Sequence, residues 1–142
     1  MLDHDLIEDL LSRIEDHVQK LALLAALPKE QYLADFTKIE SAKHLLQVSV
    51  QSCLDIGSHI VAAQGFRRPD NYADTFAVLA ENGILPTDFL PNLRNMVGFR
   101  NRLVHLYWDV DNEGLLDILR NDLGDFEVFA RYIASYVRRQ QS

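Results

Sequence analysis

Apolar residues recur at steps of three or four over most of this chain, which is the spacing that gives an α-helix one buried face. In residues 2–26, acidic and basic residues fill the positions between them, and Pro28 follows as a helix-ending residue. The apolar positions of this segment are Leu2, Leu6, Leu10, Ile14, Val18 and Leu21. The pattern therefore predicts a first amphipathic helix.

A second, longer helix is predicted from about residue 38 to residue 64. The stretch from Thr37 to Glu40 has the spacing of a capping box, Phe36 precedes it as an apolar residue outside the helix, and Gly65 is a natural stop. The apolar stripe of this helix consists of Leu46, Val50, Cys53, Leu54, Gly57, Ile60 and Val61. We expect this stripe to lie in the core.

Turn residues divide the rest of the chain into three further helical sections. Residues 67–71 have turn composition, residues 72–81 predict a short helix, residues 89–107 a fourth helix, and residues 113–139 a helical section that bends near 121–124. The predicted buried face of the last section is Phe126, Phe129, Ile133 and Val137. No strand pattern is present. We therefore predict one all-α domain over residues 1–142, an up-and-down bundle of four main helices plus a short one.

Composition agrees with a single soluble domain. The 142 residues are 48% hydrophobic and 25% charged, as is usual for globular proteins. No apolar run approaches the roughly 18–20 residues that span a bilayer. The acidic start of the chain lacks the positive flank of a secretory signal, and the single Cys53 cannot form an intrachain disulfide. We expect a cytoplasmic protein with a buried thiol.

The charge is unevenly distributed. A net charge of −7 argues against indiscriminate binding to nucleic acid. Residues 93–108, however, contain Arg94, Arg100 and Arg102 and no acidic residue, so they carry +3 and leave −10 for the rest of the chain. A small basic region of this kind favours a local phosphate site over a long groove that follows a nucleic-acid backbone.

The same region contains the candidate chemistry. On a regular helix His105 is a neighbour of Asn101 and of Arg102, whereas Arg100 and His105 are rotated by about 140° from each other. Arg100 and His105 can therefore meet only if the helix distorts near its end or if a symmetry-related copy supplies one of them. The second alternative predicts a homodimer with the cluster at its cleft.

These residue types suit cleavage of an RNA phosphodiester. A histidine can act as general acid or base, and an arginine can bind a phosphate and neutralise the charge of the transition state. If the 2′-hydroxyl of the RNA attacks, neither a metal ion nor a protein nucleophile is needed. A purely structural interpretation also exists, because basic side chains stabilise the C-terminal end of a helix. Tyr107 and Trp108 would then be core or interface aromatics.

Other candidate sites are weaker. Asp55 and His59 are one helical turn apart and either border the cleft or form a hydrogen bond within the helix. We expect the histidines that lie among charged residues, at positions 4, 17 and 44, to be solvated. No Glu-x-x-His pair, zinc-ligand spacing or glycine-rich phosphate loop occurs, so we expect neither a metal nor a cofactor.

The string from Arg100 to His105, Arg-Asn-Arg-Leu-Val-His, resembles the signature of the HEPN superfamily, Arg-x4–6-His with a polar residue after the arginine. Its continuation to Tyr107 resembles the narrower HepT branch, the toxins of HEPN/MNT toxin–antitoxin pairs. The similarity extends to residues 46–60, 76–84 and 96–99, and thus covers most of the chain.

This resemblance implies an all-α homodimer and a metal-independent endoribonuclease, with Arg100, Asn101 and His105 of both subunits lining a shared cleft. Arg102 and Asp55 are candidates for binding RNA at its border. The resemblance also implies a partner, a minimal nucleotidyltransferase antitoxin that transfers AMP from ATP to the tyrosine at position 107. Two alternatives stay open: a non-catalytic HEPN module that binds a nucleotide or a nucleotidyltransferase partner, and a plain helical adaptor.

Overall fold

The computed structural model describes residues 1–141; Ser142, the last residue of the predicted domain, lies outside them. The described chain forms seven α-helices and two short 3-10 turns, and it contains no strand. The helices are α1 (His4–Ala25), α2 (Lys29–Leu33), α3 (Phe36–Ala63), α4 (Tyr72–Glu81), α5 (Leu90–His105), α6 (Asn112–Asn121) and α7 (Gly124–Gln141). The prediction of an all-α fold is confirmed.

Helix α3 is the centre of the fold. It packs against α1, α2, α4 and α5, while α6 and α7 cover α1 from another side. All seven residues of its predicted apolar stripe are buried. Among them is the thiol of Cys53, whose pKa is raised by burial. The periodicity of this segment therefore predicted its buried face correctly.

The start of α3 differs from the predicted capping box. The helix begins at Phe36, and Asp35 is the N-cap, because its carboxylate accepts hydrogen bonds from both the backbone N–H and the hydroxyl of Thr37. Phe36 is 75% exposed and does not pack as a staple. Aspartate immediately before the helix satisfies a free N–H directly, so the chain enters the helix two residues earlier than Thr37 would require.

The described chain has three short helices, α2, α4 and α6, where only one, α4, was predicted as a separate short helix. Helix α4 has the predicted bounds, but α2 was missed because five residues after Pro28 are too few to show a helical period. The C-terminal section divides into α6 and α7 at the predicted bend. Within α7, Tyr136 is buried and Val137 is only partly buried, so Tyr136 takes the last core position that was assigned to Val137.

A close approach between α3 and α4 fixes the position of Tyr72 near the site described below. Gly57 makes this approach possible, since a Cβ atom at that position would lie 2.9 Å from Cγ2 of Thr75. The loop before α4 is held by Arg67, which forms paired hydrogen bonds with Asp74 and with Glu81 at 2.8–3.0 Å. The first residue of α4 is thereby held beside α3.

No helix in residues 1–141 is both long enough and apolar enough to cross a membrane.

Candidate active site

Arg100 is held from three helices. One terminal nitrogen of its guanidinium donates to Oε1 of Gln51 on α3 at 2.7 Å, and the other donates to Oδ1 of the adjacent Asn101 at 3.1 Å. Its Cζ lies 5.3 Å from the ring centroid of Tyr72 on α4, within cation–π range. The half-buried guanidinium therefore has a fixed orientation, and none of the salt bridges found among residues 1–141 pairs it with a carboxylate.

Asp55 joins this group through Gln51. The amide nitrogen of Gln51 donates to Oδ1 of Asp55 at 2.8 Å, so Asp55, Gln51, Arg100 and Asn101 form one chain of hydrogen bonds, here called the Arg100 network. The internal hydrogen bond predicted for Asp55 exists, but its partner is Gln51. His59 instead accepts a hydrogen bond from the backbone N–H of Asp3 at 2.9 Å.

His105 is the last residue of α5 and is exposed. Within residues 1–141 its imidazole has no hydrogen-bond or ion-pair partner. Helix α5 is regular from Leu90 to His105, so the rotation of about 140° between Arg100 and His105 is present in the protomer. Distortion of the helix end, the first of the two predicted ways to bring these side chains together, does not occur between them.

Tyr107 lies in the 3-10 turn Tyr107–Asp109 that follows α5, and it is 37% exposed. Lys43 of α3 holds it, with its Nζ 4.4 Å from the ring centroid and 3.4 Å from the backbone carbonyl oxygen of Tyr107. Lys43 is itself only 6% exposed, and its nearest carboxylate oxygen, on Glu40, lies 3.7 Å away. The tyrosine predicted to be modified thus lies beside a nearly buried cation.

Arg102 points to a different side of α5 from Arg100. Its guanidinium donates to the backbone carbonyl of Asp109 at 3.2 Å and so supports the turn that contains Tyr107. It also lines a cavity of about 540 Å³ between α5 and the α6–α7 region, with Phe99 and Ile118. Arg102 is therefore not part of the Arg100 network, although Arg102 and Arg100 belong to the same basic region of the sequence.

Several large apolar side chains remain exposed around these residues. They are Tyr72, Val104, Leu106, Tyr107 and Trp108, and Trp108 is the most exposed of them at 81%. Clustered apolar exposure of this kind marks surfaces that bind other macromolecules. We call these five residues the apolar rim.

Sequence reasoning missed Gln51 and Lys43. Lys43 precedes Leu46 by three residues and Val50 by seven, so its spacing placed it on the apolar stripe of α3, but a lysine is usually assigned to the surface. Gln51 gave no comparable signal, because its importance depends on a contact with another helix. Within residues 1–141 as a whole, no group of three or more His, Cys, Asp or Glu side chains is arranged to hold a metal ion.

The fold is that of solved HEPN toxins. The tri-AMPylated HEPN toxin of Shewanella oneidensis, solved in complex with an MNT antitoxin, is 29% identical, and the match covers 95% of this chain and 99% of that chain with a TM-score of 0.85. The chain belongs to the family described as ribonuclease HepT-like, whose model matches residues 7–133. The predicted membership of the HEPN superfamily and its HepT branch is confirmed.

Two relatives with named activities support the same placement. The mRNA nuclease HepT of Shewanella oneidensis is 34% identical over 99 residues, which are 70% of this chain and 74% of the relative. The tRNA nuclease HepT of Aphanizomenon flos-aquae is 27% identical over 129 residues, which are 91% of this chain and 86% of the relative.

Proposed function

We propose that this protein is the toxin of a toxin–antitoxin pair and an endoribonuclease that cleaves RNA without a metal ion. The observation that carries the proposal is that Arg100 and His105 lie on the same helix, α5. Within residues 1–141, the oriented guanidinium of Arg100 has no carboxylate partner, and the exposed imidazole of His105 has no hydrogen-bond or ion-pair partner. Family membership supports the choice of RNA, because two relatives are nucleases that act on mRNA and on tRNA.

In the proposed reaction, the 2′-hydroxyl oxygen of a ribose attacks the adjacent phosphorus and the bond from phosphorus to the 5′-oxygen breaks. His105 serves the proton transfers, as acceptor of the 2′-hydroxyl proton or as donor to the leaving 5′-oxygen. Arg100 binds the phosphate oxygens and offsets their charge in the transition state, and Asn101 contributes a neutral donor. The products are one fragment with a 2′,3′-cyclic phosphate and one with a 5′-hydroxyl.

A second copy of the chain completes the proposed site. Because α5 is regular, Arg100 and His105 of one protomer diverge, and one phosphate can reach both residue types when two copies of the α5 end face each other. The exposed apolar rim supports this arrangement, since Val104, Leu106 and Trp108 flank His105 and would be covered by a partner surface. We therefore propose a homodimer with a shared cleft.

We further propose that a nucleotidyltransferase antitoxin neutralises the enzyme by transferring AMP from ATP to Tyr107. The phenol oxygen would attack the α-phosphorus of ATP and release pyrophosphate. A related toxin has been solved in AMPylated form with its MNT antitoxin, and Tyr107 is partly exposed beside the proposed site. The attached phosphate would add bulk and negative charge where an RNA phosphate must bind, and so repel the substrate.

The rate of RNA cleavage tests the proposal. The purified chain is incubated with RNA in excess chelator, alongside Arg100→Ala, His105→Ala and the control Arg94→Ala, which removes an exposed arginine from the same helix. We expect cleavage to persist in chelator, to fall by about 10²-fold or more in the first two variants, and to continue in the control. If the wild-type chain leaves RNA intact, the non-catalytic module that binds a nucleotide or its transferase partner becomes the better interpretation.

A further inference from the structure

We propose that Gln51 is a positioning residue, which Asp55 orients and which in turn holds the guanidinium of Arg100 in place for an RNA phosphate. This inference rests on the proposed ribonuclease function and adds to it two residues that do not themselves reach the reacting atoms. It begins from the Arg100 network. There the side-chain amide of Gln51, on α3, connects Arg100 on α5 with Asp55, which lies one turn further along α3.

The chemistry of the two neighbours fixes the orientation of the Gln51 amide. A guanidinium can only donate hydrogen bonds, and an ionised carboxylate can only accept them. The amide must therefore present its oxygen to Arg100, at 2.7 Å, and its nitrogen to Asp55, at 2.8 Å. The reversed amide would lose both hydrogen bonds, so Asp55 holds Gln51 in the one orientation that accepts from Arg100.

The support is rigid because it belongs to the central helix. Gln51 and Asp55 are four residues apart on α3, which places them on the same side of consecutive turns. The residues flanking Gln51 on the same helix, Val50 and Ser52, are buried, so the backbone that carries the amide is packed on both sides. Holding a flexible arginine from such a backbone reduces the orientational freedom that it would lose on binding substrate.

A neutral amide has a second consequence. If a carboxylate contacted Arg100 directly, it would neutralise the charge that a phosphate is proposed to meet. Gln51 places the charge of Asp55 one side chain away while still transmitting its orienting effect. The network therefore fixes the position of the guanidinium and leaves its positive charge available, which a glutamate at position 51 could not do.

The test compares Gln51→Ala and Gln51→Glu with the control Gln47→Ala, which lies one turn earlier on α3 and is likewise partly buried. With Gln51→Ala we expect kcat to fall on the order of 10-fold to 100-fold, because Arg100 loses its fixed orientation. We also expect the side-chain NH signals of Arg100 in 15N NMR to broaden or to exchange faster with solvent. With Gln51→Glu we expect those signals to stay sharp and KM for RNA to rise. Gln47→Ala should leave both measurements unchanged.

The two readouts separate this inference from the function on which it rests. If the wild-type chain cleaves RNA and Gln51→Ala retains its kcat with unchanged Arg100 signals, the positioning role is wrong and the ribonuclease proposal is unaffected. If wild-type protein cleaves no RNA, the function fails, and the NMR comparison still decides whether Gln51 orders Arg100. A loss of kcat with unchanged Arg100 signals would also contradict the inference, since the effect would not pass through the arginine.

Discussion

Lys43 holds Tyr107 at two points, with its ammonium 4.4 Å from the centre of the phenol ring and 3.4 Å from the backbone carbonyl oxygen of the same residue. The contact joins a buried position on α3 to an exposed turn that follows α5. A nearly buried ammonium needs such partners, since its closest carboxylate, on Glu40, is 3.7 Å away. The turn is consequently kept against the bundle while the tyrosine remains accessible.

Lys43→Met should therefore loosen the turn. The unbranched apolar side chain of methionine keeps most of the packing volume but removes the cation–π contact and the hydrogen bond to the carbonyl of Tyr107. We expect the backbone N–H of Asp109, which donates to Leu106 at 2.8 Å, to exchange with solvent several-fold faster in hydrogen-exchange measurements. Lys20→Met, on the exposed side of α1, is the matched control and should leave that rate unchanged. Equal exchange rates in all three proteins would show that Lys43 does not hold the turn.

Tyr107 should be the residue that accepts AMP. Incubation with the partner transferase and ATP is expected to add the mass of one or more AMP groups to the wild-type chain, and none to Tyr107→Phe. Tyr132 has almost the same exposure, 39% against 37%, but lies on α7 away from the proposed site. Tyr132→Phe should therefore be modified like the wild type. A mass gain that persists in Tyr107→Phe would exclude Tyr107 as the sole acceptor.

The ion pairs of Arg67 predict an acid-dependent loss of stability. Hydrogen bonds from Arg67 lower the pKa of Asp74 to about 2 and also lower the pKa of Glu81. Because these carboxylates bind protons more weakly in the folded chain than in the unfolded one, their contribution is complete above their usual pKa values of about 4 and is lost as the pH falls towards 2.

Arg67→Met should accordingly melt at a lower temperature than the wild type at pH 7, and the difference should shrink between pH 4 and pH 2. Thermal unfolding followed by circular dichroism across this range provides the measurement. Arg68→Met, which removes the adjacent exposed arginine, is the control and should melt like the wild type at every pH. A constant difference between Arg67→Met and wild type down to pH 2 would contradict the assignment of the effect to Asp74 and Glu81.

Much of the fold could be predicted because a helix with one buried face needs apolar residues at every third or fourth position. The stripe of α3 and the bounds of α4 follow from apolar residues and stop signals that are close in sequence. The cap of α3 could not be decided in the same way, since Asp35 and Thr37 are both good capping residues and only the local backbone selects Asp35. Short α2 lies below the length at which a period can be recognised.

The candidate site likewise contains residues whose placement follows from local spacing and residues whose placement depends on contacts between helices. Arg100, Asn101 and His105 lie within six consecutive residues, so the helix spacing predicted their relative directions, including the divergence of Arg100 and His105 that the regular α5 preserves. Gln51 and Lys43 contact residues 49 and 64 positions away. Such contacts depend on how helices pack together, and no local pattern in the sequence encodes them.

The chemical structure of the RNA ends after cleavage in excess chelator tests the central claim most directly. Attack by the 2′-hydroxyl, assisted by Arg100 and His105, predicts fragments that end in a 2′,3′-cyclic phosphate and partner fragments that begin with a 5′-hydroxyl. Fragments with a 3′-hydroxyl and a 5′-phosphate, or cleavage that stops when metal ions are removed, would contradict the mechanism proposed for this protein.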